Sequence, residues 1–281
     1  MDKGMEILKR KLGSTGVEVT IMGLGGEGVL RTFGHEQEAY RLINRAIHLG
    51  INYFESARAY SGSESYYGSA LKERRKEIFL TSKSHARDRD GAASHLETTL
   101  KNLKTDYLDL WQVHDVRTVT DVERIFGPGG AIEAFDEAKK KGVTRFVGVT
   151  GHHDPDVLRR CLDLYDFDTV LLPVNPAEPA FRSFIDEVIP AAEARGMGII
   201  GMKIYFRGFA AKLPWYQGME PFFRFALSHN ISTAVIGCDS IAQLEENVGF
   251  ARAFTPMTAA EKEQLTNQVA PHARSLMYYK P

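Results

Sequence analysis

Cysteine is nearly absent: the 281 residues hold two, Cys161 and Cys238, far apart and outside any C-x-x-C spacing. That excludes a disulfide framework and leaves no thiolate set for a zinc or iron–sulfur centre, so two reduced, buried thiols are expected. An excess of either charge is also missing, with 35 Lys+Arg against 36 Asp+Glu. Without a broad basic field, binding to nucleic acid or an anionic membrane has no electrostatic basis. No run approaches the roughly 18 apolar residues that span a bilayer. Met1 to Arg10 alternate charged and apolar side chains where a signal peptide has a continuous apolar stretch. The expectation is a cytoplasmic protein acting on a small molecule, with no nucleic acid and no membrane as partner.

Of the residues present, 43% are hydrophobic and 25% charged, enough for a large core. Short apolar runs, each followed by a stretch of helical spacing, recur eight times, the pattern of a parallel sheet built from βα units. The strand candidates are Thr20 to Gly23, Asn52 to Glu55, Ile78 to Thr81, Tyr107 to Val113, Arg145 to Val149, Thr169 to Pro173, Gly198 to Met202 and Thr233 to Ile236. Helices are predicted over Gln37 to Leu49, Ser65 to Leu71, Ala92 to Leu103, Ala131 to Lys141, Pro155 to Leu164, Phe184 to Arg195, Pro221 to Leu227 and Ile241 to Phe254. Eight units in one chain fit a closed (β/α)8 barrel, an α/β TIM barrel, better than an open doubly wound sheet. Gly23-Leu24-Gly25-Gly26-Glu27-Gly28 has the wrong glycine spacing for a dinucleotide fingerprint and no clear helix after it. A hairpin around Gly13 to Gly16 precedes the first unit, and a capped helix, Thr258 to Val269, follows the eighth. No linker interrupts residues 1–281, so one domain is expected.

In such a barrel, polar residues at the carboxyl ends of the strands converge on one mouth. Glu55, Tyr60, Lys83 and His114 all fall there, after three consecutive strands. A phenol exchanges its proton poorly near neutral pH unless a nearby ammonium stabilises its ionised form. Lys83 is therefore expected to tune Tyr60, Glu55 to hold and balance Lys83, and His114 to orient a substrate oxygen. The chemistry suited to this set is protonation of a carbonyl oxygen. His152-His153 offer two ring donors without a third ligand, so no metal site is assigned.

The segment Gly50-Ile51-Asn52-Tyr53-Phe54-Glu55-Ser56-Ala57, with Tyr60 and Gly62-Ser63-Glu64, resembles the aldo-keto reductase family. So do Arg10-Lys11-Leu12-Gly13, Gly23 to Gly26, Asp106 to Leu110 leading to His114, and Leu244 to Asn247. The resemblance implies a (β/α)8 oxidoreductase that reduces an aldehyde or ketone with NADPH, or less often NADH. By that likeness Tyr60 is the general acid, Lys83 its partner and His114 the carbonyl-orienting residue. Glu55 stands where the family usually has Asp.

The resemblance also implies cofactor contacts at Gly25, Gly26, Thr150, Met202, Gln243, Glu246 and Asn247. Lys203 and Arg207 would border the pyrophosphate, and Gly237, Cys238, Asp239 and Ser240 would lead to a helix amino terminus that accepts an adenosine phosphate. Gly151 and Leu171 replace the usual carboxamide contacts, Gln243 replaces an Arg that often holds the extra phosphate of NADP, and Asp239 is negative. Strong preference for NADPH over NAD is not secured. Substrate contacts are expected from Val116 to Gly130, from Tyr205 to Gly218, and from Tyr278 and Tyr279; Phe206, Phe209, Trp215 and Tyr216 read equally as an apolar wall or as packing of their own loop. A nucleotide-binding sensor or accessory subunit on the same scaffold is the alternative reading.

Overall fold

A computed structural model describes residues 6–281; the leader reading falls partly on residues 1–5, which lie outside the described residues. Strands β1 (Lys9–Lys11) and β2 (Glu18–Thr20) pair antiparallel, Lys9 opposite Thr20, around the predicted turn. Gly13 has φ +54°, and a Cβ there would lie 2.2 Å from the Gly198 amide nitrogen, so only glycine lets the hairpin approach the barrel floor this closely.

Eight parallel strands close the barrel: β3 (Met22–Gly28), β4 (Tyr53–Glu55), β5 (Phe79–Ser84), β6 (Leu108–Val113), β7 (Thr144–Thr150), β8 (Thr169–Pro173), β9 (Gly198–Met202) and β10 (Thr233–Cys238), with β10 pairing back to β3. Around them lie α1 (Glu36–His48), α2 (Ser63–Leu71), α3 (Arg89–Leu103), α4 (Val119–Phe126), α5 (Ala131–Lys140), α6 (Pro155–Leu164), α7 (Phe184–Glu187), α8 (Ile189–Ala194), α9 (Glu220–Leu227), α10 (Ile241–Arg252), α11 (Ala259–Val269) and α12 (Ala273–Leu276). This is the (β/α)8 barrel that the strand count predicts, with its amino-terminal hairpin. Among the described residues no helix is long and apolar enough to cross a membrane.

Period-two alternation divides the barrel interior into an apolar floor and a polar mouth. Tyr53, Phe79 and Leu110 open β4, β5 and the inner face of β6, and pack with Leu12, Leu171, Ile200 and Val235 as the inner core. Two residues further on come Glu55, Thr81 and Gln112, with Gln112 Nε2 donating to Thr81 Oγ1 at 3.0 Å. Two more give Lys83 and His114. Strand register thus delivers the polar set to one end, while a second, larger core seals strands against helices.

The first barrel strand runs Met22–Gly28 and not Thr20 to Gly23, because Glu18–Thr20 is consumed by the hairpin. Glycines continue the strand where side chains do not fit: a Cβ on Gly26 would lie 2.5 Å from Ser63 Oγ and 2.7 Å from the Glu55 carbonyl. The helix predicted over Phe184 to Arg195 is two pieces, since Pro190 has no N–H for the Asp186 carbonyl. Val116 to Gly130 contains α4, started by a Thr118–Asp121 capping box. The remaining tail, Ala270 to Pro281, shows no periodicity in the sequence; it nevertheless contains α12 and buries Met277, Tyr279 and Lys280.

His229, just past α9, lies against Phe225 with Nε2 buried and without a hydrogen-bond partner. Burial, aided by Lys262, lowers its pKa to about 4, against about 6.5 in an unfolded chain. Between those values the unfolded chain binds a proton that the fold refuses, so stability is lost as pH falls through the window. Thermal unfolding at several pH values is expected to show Tm falling from neutral toward this lower value, less steeply in His229→Gln. Equal slopes in both proteins would remove His229 as a cause.

Candidate active site

Lys83 Nζ lies 2.7 Å from Glu55 Oε1, both side chains fully buried, and donates to the Ser56 carbonyl at 3.0 Å. The same ammonium is 4.9 Å from the centroid of the Tyr60 ring. His114 stands edge-on to that ring, 6.0 Å between centroids at 88°. All four predicted residues therefore meet at one mouth. The extra methylene of Glu55 still permits direct pairing with Lys83.

The loop carrying Tyr60 is fastened from below. Ser56 N–H donates to the Thr81 carbonyl and Arg58 N–H to that of Lys83, at 2.9 and 3.0 Å. Glu64, buried at the start of α2, accepts from Ser82 Oγ, Thr99 Oγ1 and Asn102 Nδ2 and pairs with Arg58. The Gly62-Ser63-Glu64 motif thus acts by holding the loop still.

Electrostatics alter one expectation. Burial, then Glu55 and Glu27, hold the Tyr60 hydroxyl well above the ordinary phenol range, with Arg31 pulling the other way. Lys83, paired with Glu55, lies over the ring, and the net direction for the hydroxyl is upward. Tyr60 is accordingly a neutral phenol near pH 7, the form that gives up a proton. Burial, then Lys83 and His152, push His114 well below the usual imidazole range, so it is neutral as well. His114 Nδ1 and Glu55 Oε2 are buried without hydrogen-bond partners.

His114 is held through its backbone. Arg87 donates to the carbonyls of His114 and Asp115 at 2.8 and 2.7 Å and pairs with Asp121. Thr150 Oγ1 accepts the Asp115 N–H at 2.7 Å, so Thr150 supports this turn and does not line the adjoining cavity. Gly151 follows it. His152 and His153 diverge, one toward Asp115 and the other toward the Tyr279 carbonyl. Burial lowers the His152 pKa to about 4, against the pull of Asp115. Among the described residues no three His, Cys, Asp or Glu side chains cluster as a metal site.

A cavity of about 440 Å³ is lined by Glu55 and Tyr60 of the quartet and by Gln243, Glu246 and Asn247 of α10. Gly25, Gly26, Met202, Lys203, Arg207, Gly237 and Asp239 line it as well. Lys203 and Arg207 both take left-handed φ, +58° and +55°, on the loop after β9. Cys238 and Ser240 stand behind the wall. The Cys238 thiol is buried and pushed up to about 12, while Ser240 Oγ caps α10 by accepting the Gln243 N–H. Gln243 Oε1 in turn accepts the Asp239 N–H at 2.8 Å.

Glu27 is the charged cavity residue that sequence reasoning missed, along with the uncharged Gly28, Met219, Val235 and Ile236. Its carboxylate meets Arg31 at 2.5 Å and approaches Arg207 Nε at 3.8 Å. Burial opposes its ionisation, but Lys203, Arg31 and Arg207 together hold its pKa below the usual carboxylate range. The one available signal was its position inside the glycine run. The expected apolar wall is divided: Phe206 and Trp215 pack on Phe222, Phe209 lies against Tyr278, and Tyr216 alone of the four lines the cavity. Tyr279 turns its hydroxyl to Glu178 at 2.6 Å.

A closed barrel with this polar mouth opening into a long cavity has the layout of a barrel oxidoreductase. The sequence model of the Aldo/keto reductase family matches residues 21–215. The chain is 27% identical over 227 residues to the oxidoreductase YqkF of Bacillus subtilis, covering 75% of this chain and 69% of that protein. It is 24% identical over 279 residues to L-galactose dehydrogenase of Arabidopsis thaliana, covering 85% and 86%. The holo form of the aldo-keto reductase AKR11C1 from Bacillus halodurans superposes with a TM-score of 0.79 at 25% identity, covering 94% of this chain and 96% of that one. The chain belongs to the aldo/keto reductase family, whose members are oxidoreductases acting on carbonyls with nicotinamide cofactors.

Proposed function

We propose that the protein reduces an aldehyde or ketone to the alcohol, with Tyr60 as proton donor, His114 orienting the carbonyl, and Lys83 and Glu55 fixing the phenol. The observation that carries this reading is the buried Glu55–Lys83 pair beneath a neutral Tyr60, with His114 edge-on, at one end of the cavity. When bound, the dihydronicotinamide supplies the hydride to the carbonyl carbon. Tyr60 Oη gives its proton to the carbonyl oxygen as negative charge grows there, and recovers one from solvent afterwards. Neutral His114 retains one ring N–H with which to hold that oxygen. Glu55 pairs with the ammonium under the ring and so holds it in place.

We read the cavity as the dinucleotide site. Met202 would contact the nicotinamide, Lys203 and Arg207 the diphosphate, and Gly25, Gly26 and Gly237 would leave backbone within reach, all of them lining the cavity. Gln243, Glu246 and Asn247 are placed for the adenosine. Cys238, Ser240 and Thr150 act from behind as supports. NADPH is the cofactor favoured by the family resemblance; NADH remains open because Asp239 and Glu246, not a cation, line the far end.

Fluorescence titration with each nucleotide, followed by rapid mixing of the complex with a reactive aldehyde, tests the proposal. Saturable binding followed by loss of dihydronicotinamide absorbance is expected. Binding that leaves the nucleotide reduced favours the sensor reading and overturns the enzymatic one.

A further inference from the structure

Two cations lie against the Tyr60 ring. Lys83 is buried and committed to Glu55 and the Ser56 carbonyl. The other is Arg31, from the loop after β3, whose guanidinium carbon is 5.2 Å from the ring centroid and whose side chain is 39% exposed. Main-chain bonds fix its place: Arg31 N–H donates to the Gly28 carbonyl, and the Arg31 carbonyl accepts from Gly62 N–H at 3.1 Å, two residues beyond Tyr60. The loop that carries Arg31 and the loop that carries the phenol are therefore tied together.

The side-chain hydrogen bond Arg31 makes is to Glu27, which lines the cavity and reaches toward Arg207. The charged or titratable groups around Tyr60 are thus Glu27 and Arg31 from β3 and its loop, Glu55 from β4, Lys83 from β5, and His114 and Asp115 after β6. Lys83 and Glu55 are buried and committed to each other. The partly exposed pair beside the ring is Glu27–Arg31.

We propose that Arg31 is a positioning residue for the proton step, holding the phenol ring and easing the departure of its proton, while Glu27 works against it. This rests on Tyr60 being the proton donor. The physical cause is Coulombic: a guanidinium against the ring favours the phenolate, and a carboxylate at similar range disfavours it. Arg31 does pull the Tyr60 hydroxyl downward and Glu27 does push it upward. The two substitutions Arg31→Met and Glu27→Gln should therefore act in opposite directions.

The effect is clearest in the reverse reaction, alcohol oxidation, where Tyr60 must be ionised to accept the proton. At a pH below its pKa the rate follows the ionised fraction, tenfold per pH unit. Arg31→Met is expected to move the acidic limb of the rate profile upward by about half a pH unit or more, slowing oxidation about threefold or more at fixed pH. Glu27→Gln should move the limb downward and speed oxidation, and Arg31→Lys should restore most of the wild-type profile. Independently, fluorotyrosine incorporated in place of tyrosine brings phenol ionisation into an accessible pH range. The fluorine resonance of position 60, assigned by its loss in Tyr60→Phe, then reports the same shifts without turnover.

Slower oxidation in both variants with unmoved limbs and an unmoved resonance would mean that the pair is only structural, and overturns the proposal. If even the wild-type protein oxidises no alcohol, the reading of the protein as an enzyme fails. The fluorine titration still decides whether Arg31 and Glu27 govern Tyr60.

Discussion

Tyr60→Phe is expected to lower carbonyl reduction by about 10²–10⁴-fold, the range for loss of a positioned acid. Phenylalanine keeps the ring that lies against Lys83 and Arg31 and stands edge-on to His114. Only the hydroxyl leaves, so the fold and the cavity persist. Nucleotide affinity should stay close to that of the parent protein, because Lys203, Arg207 and the far end of the cavity are untouched. The loss should appear in kcat and kcat/KM together, since the missing bond strengthens as the oxygen becomes negative. Single-turnover rates at saturating nucleotide check this. A parent-like rate would assign the proton to another donor, His114 being the nearest.

Lys280→Ala should destabilise the fold by about 3–5 kcal/mol, the usual cost of stranding one partner of a buried ion pair. Lys280 and Glu178 have no side-chain exposure and meet at 2.7 Å, and the ammonium also donates to the carbonyls of Phe181 and Arg182. Burial pushes the Glu178 carboxyl up and the Lys280 ammonium down although each opposes the shift in the other. The effect carries into the site. Tyr279 donates to Glu178 and accepts from Asn175 Nδ2, which also donates to the Lys203 carbonyl. The tail thereby braces the backbone of a cavity cation. Denaturant unfolding should show the loss, nucleotide titration a weaker affinity, and Glu178→Gln with Lys280→Met together should recover stability by removing both charges. A single variant as stable as the parent would contradict the pairing argument.

The barrel was legible because its signal is repetitive: eight apolar runs and eight amphipathic stretches leave little choice of architecture. The meeting of Glu55, Tyr60, Lys83 and His114 was legible for a related reason, since alternation from Tyr53 to Glu55 and from Phe79 to Lys83 fixes which side chains look inward and how high they sit. Side-chain bonds that cross between loops carry no such period. Nothing in the local pattern announces that Glu27 reaches Arg31 and Arg207, that Thr150 supports Asp115, or that Lys280 plugs the space beside Glu178, 102 residues away. The aromatic run Phe206 to Tyr216 reads from composition as a wall or as loop packing, and long-range contacts decide between them: Phe222 on α9 packs against both Phe206 and Trp215. Spacing likewise does not reveal the net upward direction of the Tyr60 hydroxyl, which burial and Glu55 set.

The central claim is that hydride and proton reach one carbonyl at the Tyr60 mouth, and following the hydrogen itself tests it most directly. With nucleotide deuterated at the transferable dihydronicotinamide position, the alcohol formed by the wild-type protein should carry deuterium on its carbinol carbon, one label for each nucleotide oxidised. Tyr60→Phe should form the same labelled alcohol far more slowly. Alcohol without label, or nucleotide consumed with no alcohol formed, would contradict the account.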